Sequence, residues 1–263
     1  MNSFSTGLGA RAVTICRVAD NQWHAVRNDL VVGRGYAARR LDGRTFLSID
    51  TWRDAVFDRL AVAMLDDQPA PRYTVVDETD AELMAGWGRA GFVVCRRESE
   101  FVVPTDPRIT GLSATETPPG VRIETPAETP LRELDEAIRA EVESAVGWQP
   151  MPAEVLPWQG GRRPLDPASY TVALRDGRYA GLIRIAARTR RPRIGLIAVL
   201  AAEQRHGIAR ALLGHVLGGL HRSGTDTVTA EVDETNEAAM RLFEAIGAQR
   251  SGRALELVNR DEV

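Results

Sequence analysis

The sequence predicts a mixed α/β protein built as two tandem copies of one unit, each with a mixed β-sheet and flanking helices. Three observations lead to this prediction. One segment of the first half recurs in the second, each half alternates β-rich runs with amphipathic helices, and a stretch rich in Pro and Thr separates the halves. We therefore expect an N-terminal domain over 1–104, a linker over 105–119 and a C-terminal domain over 120–263.

The repeat aligns residues 76–103 with residues 232–259 without a gap, and nine of the aligned positions are identical. Both copies begin with Val-Asp-Glu-Thr, and apolar character is kept where identity is lost, as at Trp87 and Phe243. Each copy reads as a strand, a short helix and a further strand. Thr79 and Thr235 are the expected N-caps of the two helices, and a glycine ends each helix.

The elements before each repeat follow the same order of strands and one long amphipathic helix. In the first half, strands are expected at 23–26, 30–39, 45–49 and 73–76, and a helix at about 51–65. In the second half, strands are expected at 121–125, 170–174, 180–187, 193–200 and 228–232, and helices from about 129 and over about 207–222. The helix that starts near 129 has no counterpart in the shorter first half.

Composition excludes several functional classes. The 263 residues carry 33 basic and 36 acidic side chains, and this weakly acidic balance argues against a nucleic-acid or anionic-membrane partner. No signal peptide or membrane-length apolar run is present, and the two cysteines are too few for a disulfide framework, so we expect a cytoplasmic protein. The four histidines and two cysteines do not have metal-ligand spacing, and we expect no metal site.

The segment that indicates chemistry is Ile194–Leu213, in which an apolar strand leads directly into a loop and then a helix. The first backbone N–H groups of such a helix have no intrahelical acceptor, and the positive end of the helix dipole lies behind them. Gly207 allows a ligand to approach the backbone closely, while Arg205 and Arg210 add positive charge. The segment therefore predicts an anion-binding site.

This segment resembles the signature of the GNAT superfamily of acyl-CoA-dependent N-acetyltransferases. The family pattern is a strand followed by Gln/Arg-x-x-Gly-x-Gly/Ala at a helix start, and Gln204, Gly207 and Ala209 match it. A second family pattern, an asparagine that opens a short helix, is matched by Asn236, Ala239, Leu242, Phe243 and Gly247. The resemblance extends over about 121–258.

The resemblance implies a binding site for acetyl-CoA as co-substrate. In the family, loop amides hold the CoA pyrophosphate, the strand before the loop bonds the pantetheine through its main chain, and the asparagine bonds the pantetheine from the other side. Carried over residue by residue, the set is Ile197, Ala198, Val199, Gln204, Arg205, His206, Gly207, Ile208, Ala209, Arg210 and Asn236. Within this set, Val199 would fix the acetyl carbonyl.

The catalytic residues are not identified by the sequence. Phe243 stands where many family members have a tyrosine that protonates the departing thiolate, which implies a slower but not an abolished reaction. Glu141, Glu143 and Glu231 are candidate general bases by location, although a solvated surface acid is the more common role of such residues. Glu143 and Trp148 are also candidates for lining the acceptor site.

The first half resembles the family only as a degenerate module. It has no Gln-x-x-Gly-x-Ala loop between its strand and its helix, and Asp80 replaces the pantetheine asparagine. The tandem arrangement is similar to that of mycothiol synthases. We expect the N-terminal module not to bind CoA, and to form a wall of the acceptor cleft.

The sequence thus favours transfer of an acetyl group from acetyl-CoA to a primary amine of a small molecule, by direct attack in a ternary complex. Two alternatives remain open: a protein N-terminal or lysine acetyltransferase, and an acetyl-CoA-binding sensor without turnover. The oligomeric state is also open, with a homodimer as one option.

Overall fold

The computed structural model describes residues 12–40, 42–113, 115–145, 165–186 and 191–260. The chain forms two compact units, and their limits differ from the predicted domain limits. The N-terminal unit comprises Met1–Cys95 with Leu255–Val263, and the C-terminal unit comprises Arg96–Ala254.

The N-terminal unit is a mixed sheet with two helices. Its elements are β1 (Thr14–Ala19), β2 (Gln22–Arg27), β3 (Leu30–Arg39), β4 (Thr45–Asp50), α1 (Asp54–Asp67), β5 (Arg72–Asp77) and α2 (Ala81–Arg89). Strands β1 to β5 lie in sequence order, and the end of β12 (Gln249–Asn259) lies beside β5. A core that includes Leu60, Trp87 and Leu257 lies between the sheet and the helices. Gly35 lets Met64 pack closely on β3, because an added Cβ would lie 2.4 Å from Met64 Sδ.

The strands of the C-terminal unit form a mixed sheet with helices on both faces. Its elements are β6 (Val93–Pro104), α3 (Pro107–Thr110), β7 (Val121–Glu124), α4 (Glu128–Ala145), β8 (Tyr170–Arg175), β9 (Arg178–Ala186), β10 (Arg193–Val199), α5 (Ile208–Arg222), β11 (Thr227–Asp233), α6 (Glu237–Ala245) and the start of β12. The strand order is β12-β6-β11-β10-β9-β8-β7. Leu212 of α5 and Phe243 of α6 belong to one core, while Leu134 of α4 packs with Leu182 in another.

The two copies of the sequence repeat have the same local structure. Asp77 accepts hydrogen bonds from the Thr79 backbone N–H and hydroxyl, and Asp233 accepts the same pair from Thr235. Helices α2 and α6 both have nine residues. The expectation that the threonines cap these helices is wrong. Because each threonine is held by the preceding aspartate, the next side chain along caps instead: Asp80 bonds the Leu83 N–H at 2.9 Å and Asn236 bonds the Ala239 N–H at 3.1 Å.

The helix expected over about 51–65 starts only at Asp54. Trp52 lies before it and is 95% exposed. Strand β1 was not expected from the sequence.

The segment predicted as a linker packs on the C-terminal unit. The Thr105 hydroxyl donates to the Asp226 carbonyl, Leu112 is buried, and an added Cβ at Gly214 of α5 would lie 2.4 Å from the Ser113 carbonyl oxygen. The domain limits at 104 and 120 stay a prediction about which parts fold independently. Within the described residues, no helix is both long and apolar enough to cross a membrane.

Candidate functional site

The site is centred on an opening between β10 and β11. These parallel strands pair at only two positions, Arg193 with Thr229 and Ile194 with Ala230. On its other edge β10 stays paired with β9 as far as Val199, which lies opposite Gly181. Main-chain groups of residues 195–199 that face β11 therefore have no strand partner among the described residues, and such groups favour an extended ligand that can hydrogen-bond to them.

A β-bulge lies where the opening begins. The register of β10 against β9 shifts between Ile194 and Leu196, which makes Gly195 the extra residue. A bulge bends its strand and increases the local twist, and this accounts for the divergence of β10 from β11. A glycine inside an apolar strand is the sequence signal that would have predicted it.

At the other end of the opening, the chain forms an anion-binding turn. Arg205 has φ +66° and Gly207, the N-cap of α5, has φ +77°, so both lie in the left-handed region. Among the described residues, no side chain caps α5, and the N–H groups of Ile208, Ala209 and Arg210 are left for an external acceptor. The sequence-predicted loop residues are thus gathered at one helix N-terminus, as expected for phosphate binding.

Side chains from several elements hold this turn in place. The Glu141 carboxylate of α4 accepts the Ala201 backbone N–H at 2.9 Å, where a short 3-10 turn, Ala201–Glu203, begins. Glu203 forms a 3.0 Å ion pair with Arg175 of β8. Gln204 Nε2 donates to the Val199 carbonyl at 3.2 Å and closes the loop on itself. Glu203 also offers its backbone carbonyl to His206 Nδ1 at 3.2 Å.

Asn236 lies just past the end of β11. Its Oδ1 caps α6, and no hydrogen bond within the described part of the chain uses its Nδ2. The side chains of Ile197 and Val199 pack against the core under α5, whereas Ala198 packs on the opposite side, with the core under α4. The side chains of these strand residues are therefore committed to packing, and only their main chain is available to a ligand.

The structure changes the interpretation of Phe243. Its ring is 2% exposed and stacks on Phe101 with centroids 5.8 Å apart. The ring belongs to the core that covers α5 and α6. Phe243 therefore packs in the core behind the site, where burial of its apolar ring is favourable.

Two of the three candidate bases have other partners. Glu141 is bonded to the Ala201 N–H, and Glu231 forms a 3.0 Å ion pair with Arg193. Glu143 lies on the exposed side of α4. Trp148, the other candidate for lining the acceptor site, lies outside the described residues.

A charged network borders the end of β11. Arg96 Nε bonds Asp233 at 2.9 Å, and both side chains are more than nine-tenths buried. Burial raises the pKa of Glu234, but hydrogen bonds from Arg253 and Ser99 outweigh this effect, so the pKa lies below its usual value. These ion pairs fix the turn that places Asn236. Within the described ranges, no group of three or more His, Cys, Asp or Glu side chains could hold a metal ion.

The N-terminal unit shows a similar opening without the loop. Strands β4 and β5 pair in parallel only at Thr45 with Arg72 and Phe46 with Tyr73. Only residues 51–53 connect β4 to α1, and Asp54 lies in the first turn of that helix. An acid at this position opposes a phosphate. That this unit does not bind CoA stays a prediction.

Comparison with known proteins identifies the family. Residues 132–248, which lie within the C-terminal unit, match the acetyltransferase (GNAT) family. The C-terminal unit thus contains a domain of the acetyltransferase (GNAT) family.

Solved structures agree on the fold. A GCN5-related N-acetyltransferase from Sphaerobacter thermophilus has a TM-score of 0.67 and 19% identity, covering 94% of this chain and 84% of that one. A tandem GNAT protein from the clavulanic acid biosynthesis pathway has a TM-score of 0.62 and 15% identity, covering 96% and 85%. At these identities the similarity concerns the fold alone.

A curated relative is more similar over a short segment. The [ribosomal protein bS18]-alanine N-acetyltransferase of Escherichia coli K12 is 43% identical over 51 residues, which is 19% of this chain and 34% of the relative. The same match is found with the protein of that name from Shigella flexneri. The match thus spans about a third of the length of these relatives.

Proposed function

We propose that the C-terminal unit binds acetyl-CoA and transfers its acetyl group to a primary amine of a small molecule. The observation that supports this most directly is the continuous path from the β10–β11 opening to the uncapped N-terminus of α5. Acetyl-CoA, when bound, supplies an acetyl group activated as a thioester. Every other contribution comes from the residues of this chain.

The donor set fits the chemistry of such a ligand. A pantetheine arm carries amides, which the unpaired main chain of residues 195–199 and the Asn236 Nδ2 group can bond. A pyrophosphate is an anion, and the α5 N-terminus with Arg205 and Arg210 provides amides and positive charge. The groups that can bond amides lie along the opening, and the groups that can bind an anion lie at its end, beside α5.

Positioning is the main contribution that this chain can make to the reaction. Holding an amine and a thioester in line can supply about 7–11 kcal/mol of the barrier, whereas a general acid or base supplies about 10²–10⁴ in rate. Phe243 has no proton to donate and is in the core. The reaction therefore depends on the rigid opening and the anchored loop more than on one proton donor.

A protein N-terminus is the second candidate acceptor. The partial match to an alanine N-acetyltransferase that acts on a ribosomal protein favours it. Because that match covers 51 residues, a shared cofactor site would explain it equally well. A panel that includes small amines and N-terminal peptides separates the two acceptors.

The test combines binding and turnover. Acetyl-CoA affinity is measured by calorimetry, and release of the CoA thiol is followed with the amine panel. Gly207→Val is expected to weaken acetyl-CoA binding at least tenfold, because the side chain would obstruct the approach to the α5 N-terminus. Binding without thiol release for every amine would favour a sensor over an enzyme.

Gly224→Val is the matched control. Gly224 follows α5 at its other end, also has positive φ, at +84°, and has open space around an added Cβ. The two variants share the backbone strain of a side chain at positive φ, so that only Gly207→Val tests the site. Equal acetyl-CoA affinity in both variants and in the unmodified chain would contradict the proposed cofactor site.

A further inference from the structure

A cavity of about 740 Å³ lies in the C-terminal unit near the bulge in β10, at the end of the opening away from the α5 N-terminus. Its described wall includes Asp166, Ser169, Tyr170, Arg184, Pro192 and Leu220. If acetyl-CoA binds as in the proposed function, on which this inference rests, its phosphates lie at the α5 N-terminus and this cavity is at the acyl end of the opening.

Arg184 is the cation of the described wall. It lies on β9 opposite Leu196 on one side and Tyr170 on the other. Because adjacent strands are about 4.8 Å apart, the Arg184 backbone lies about 4.8 Å from β10, the strand whose other edge is open. Its guanidinium carbon is 6.0 Å from the centre of the Tyr170 ring.

The guanidinium lies beside the bulge residue. A Cβ added to Gly195 would lie 3.4 Å from Arg184 Nη1, in van der Waals contact. The side chain is therefore held between the ring of Tyr170 and the backbone of the strand that opens the site. An arginine held in this way loses less conformational entropy when it binds a ligand.

The hydrogen-bonding groups of Arg184 are not used inside the described structure. No carboxylate of the described residues lies within 4.0 Å of it, although Arg175 and Arg193 on the neighbouring strands both have acidic partners. Two other polar side chains of the wall, Asp166 and Ser169, make hydrogen bonds within it. Asp166 bonds the Ala168 N–H at 3.1 Å, and the Ser169 hydroxyl donates to the Asp166 carbonyl at 2.8 Å.

We propose that Arg184 binds an anionic group of the acceptor, so that the acceptor is an amine that also carries a carboxylate or a phosphate. A guanidinium donates two parallel hydrogen bonds to either group. Amino acids and aminoalkyl phosphates are the two sources of this chemistry. The cavity has room for the rest of such a molecule between the end of β9 and Pro192, which precedes β10.

The first experiment compares paired acceptors. Each amino acid of a panel is tested against its own amide, which keeps the amine and loses the negative charge, and 2-aminoethyl phosphate is tested against ethanolamine. The charged member of a pair is expected to have a kcat/KM about 10–100 times higher, which corresponds to one bidentate charged contact. The two sets of pairs show whether carboxylate or phosphate is preferred. Equal kcat/KM within all pairs would overturn the proposal while leaving the acetyltransferase function standing.

The second experiment removes the guanidinium. Arg184→Gln is expected to erase the preference for the charged member, mainly through KM, while acetyl-CoA affinity and melting temperature stay unchanged. Arg178→Gln is the control, since Arg178 lies on the same strand, is exposed and does not line the cavity. If Arg184→Gln weakens acetyl-CoA binding as strongly as it weakens the acceptor, the residue belongs to the cofactor site and the proposal is wrong.

A binding measurement separates this inference from the proposed function. Affinity of the preferred amino acid or aminoalkyl phosphate is measured with CoA present, where no transfer can occur. Arg184-dependent binding together with no transfer from acetyl-CoA would refute the proposed function alone. Transfer or binding that does not depend on Arg184 would refute the inference alone.

Discussion

Replacing Glu141 by alanine tests whether helix α4 holds the cofactor loop. The Glu141 carboxylate accepts the Ala201 N–H at 2.9 Å, and this bond joins α4 to the turn that precedes Gly207. A hydrogen bond to a charged group contributes about 1.5–3 kcal/mol, and a partly exposed one lies at the lower end. If the loop leaves its binding geometry when the bond is lost, the apparent Kd of acetyl-CoA should rise about tenfold.

Calorimetry with acetyl-CoA measures this change directly, and steady-state kinetics should show a higher KM for acetyl-CoA with a smaller change in kcat. Glu141→Gln keeps an acceptor oxygen and is expected to restore most of the affinity. Glu136→Ala, at an exposed position on the same helix, is the control. Equal losses of kcat of a hundredfold or more in the alanine and glutamine variants, with Kd unchanged, would refute the positioning role and identify Glu141 as a general base.

Two further predictions concern the N-terminal unit. Asn259→Ala should lower the free energy of unfolding in urea by about 2 kcal/mol, because Asn259 accepts a hydrogen bond from Arg72 at 2.8 Å and donates one to the Ala90 carbonyl at 3.2 Å. Asn259→Asp keeps the acceptor for Arg72 and should lose less stability. Equal losses in the two variants would contradict this reasoning. Burial, aided by the Glu256 carboxylate, raises the pKa of Cys95 to about 11. In a Cys16→Ser variant, maleimide should therefore react slowly at pH 8 and faster as pH rises toward 11, whereas a rate that levels off near pH 9 would show that the pKa of the thiol is not raised.

The pKa of Cys95 also illustrates how the C-terminal strand completes the N-terminal unit. Cys95 Sγ lies 3.3 Å from the Glu256 carbonyl, and Glu256 forms a 2.7 Å ion pair with Arg44. Leu255 and Leu257 point to the other side of the same strand and belong to the core of this unit. Residues more than 150 positions apart thus form one sheet. The alternation of apolar and polar residues predicts a strand at the C-terminus, but not which sheet that strand joins.

The anion-binding loop could be located from the sequence because its chemistry is local. A glycine at the start of an amphipathic helix leaves backbone N–H groups unpaired wherever the helix packs. Gln204, Gly207 and Asn236 were found in this way or through the family resemblance, and the structure places each at the edge of the opening. The caps of α2 and α6 were misplaced by one residue, because the hydrogen bonds of Asp77 and Asp233 to the threonines are not apparent from residue types.

The roles of Phe243, Glu141 and Arg184 could not be assigned in the same way. Phe243 reads as a lost proton donor in the sequence, and its place in the core depends on Phe101, which is distant along the chain. Glu141 has a partner on the loop 60 residues away. Arg184 is one of many arginines until strand pairing places it beside the bulge at Gly195.

The sequence by itself determined the tandem repeat, the order of the elements and the loop that can bind an anion. These properties follow from periodicity and from the conformations of a few neighbouring residues, and such information lies within short segments. Only the tertiary structure decided that β10 separates from β11 after two residue pairs, that α4 holds the loop, and that Arg184 faces a cavity at the other end. Each of these depends on which distant strands pair and in which register, because pairing determines which main-chain edges and side chains remain available to a ligand.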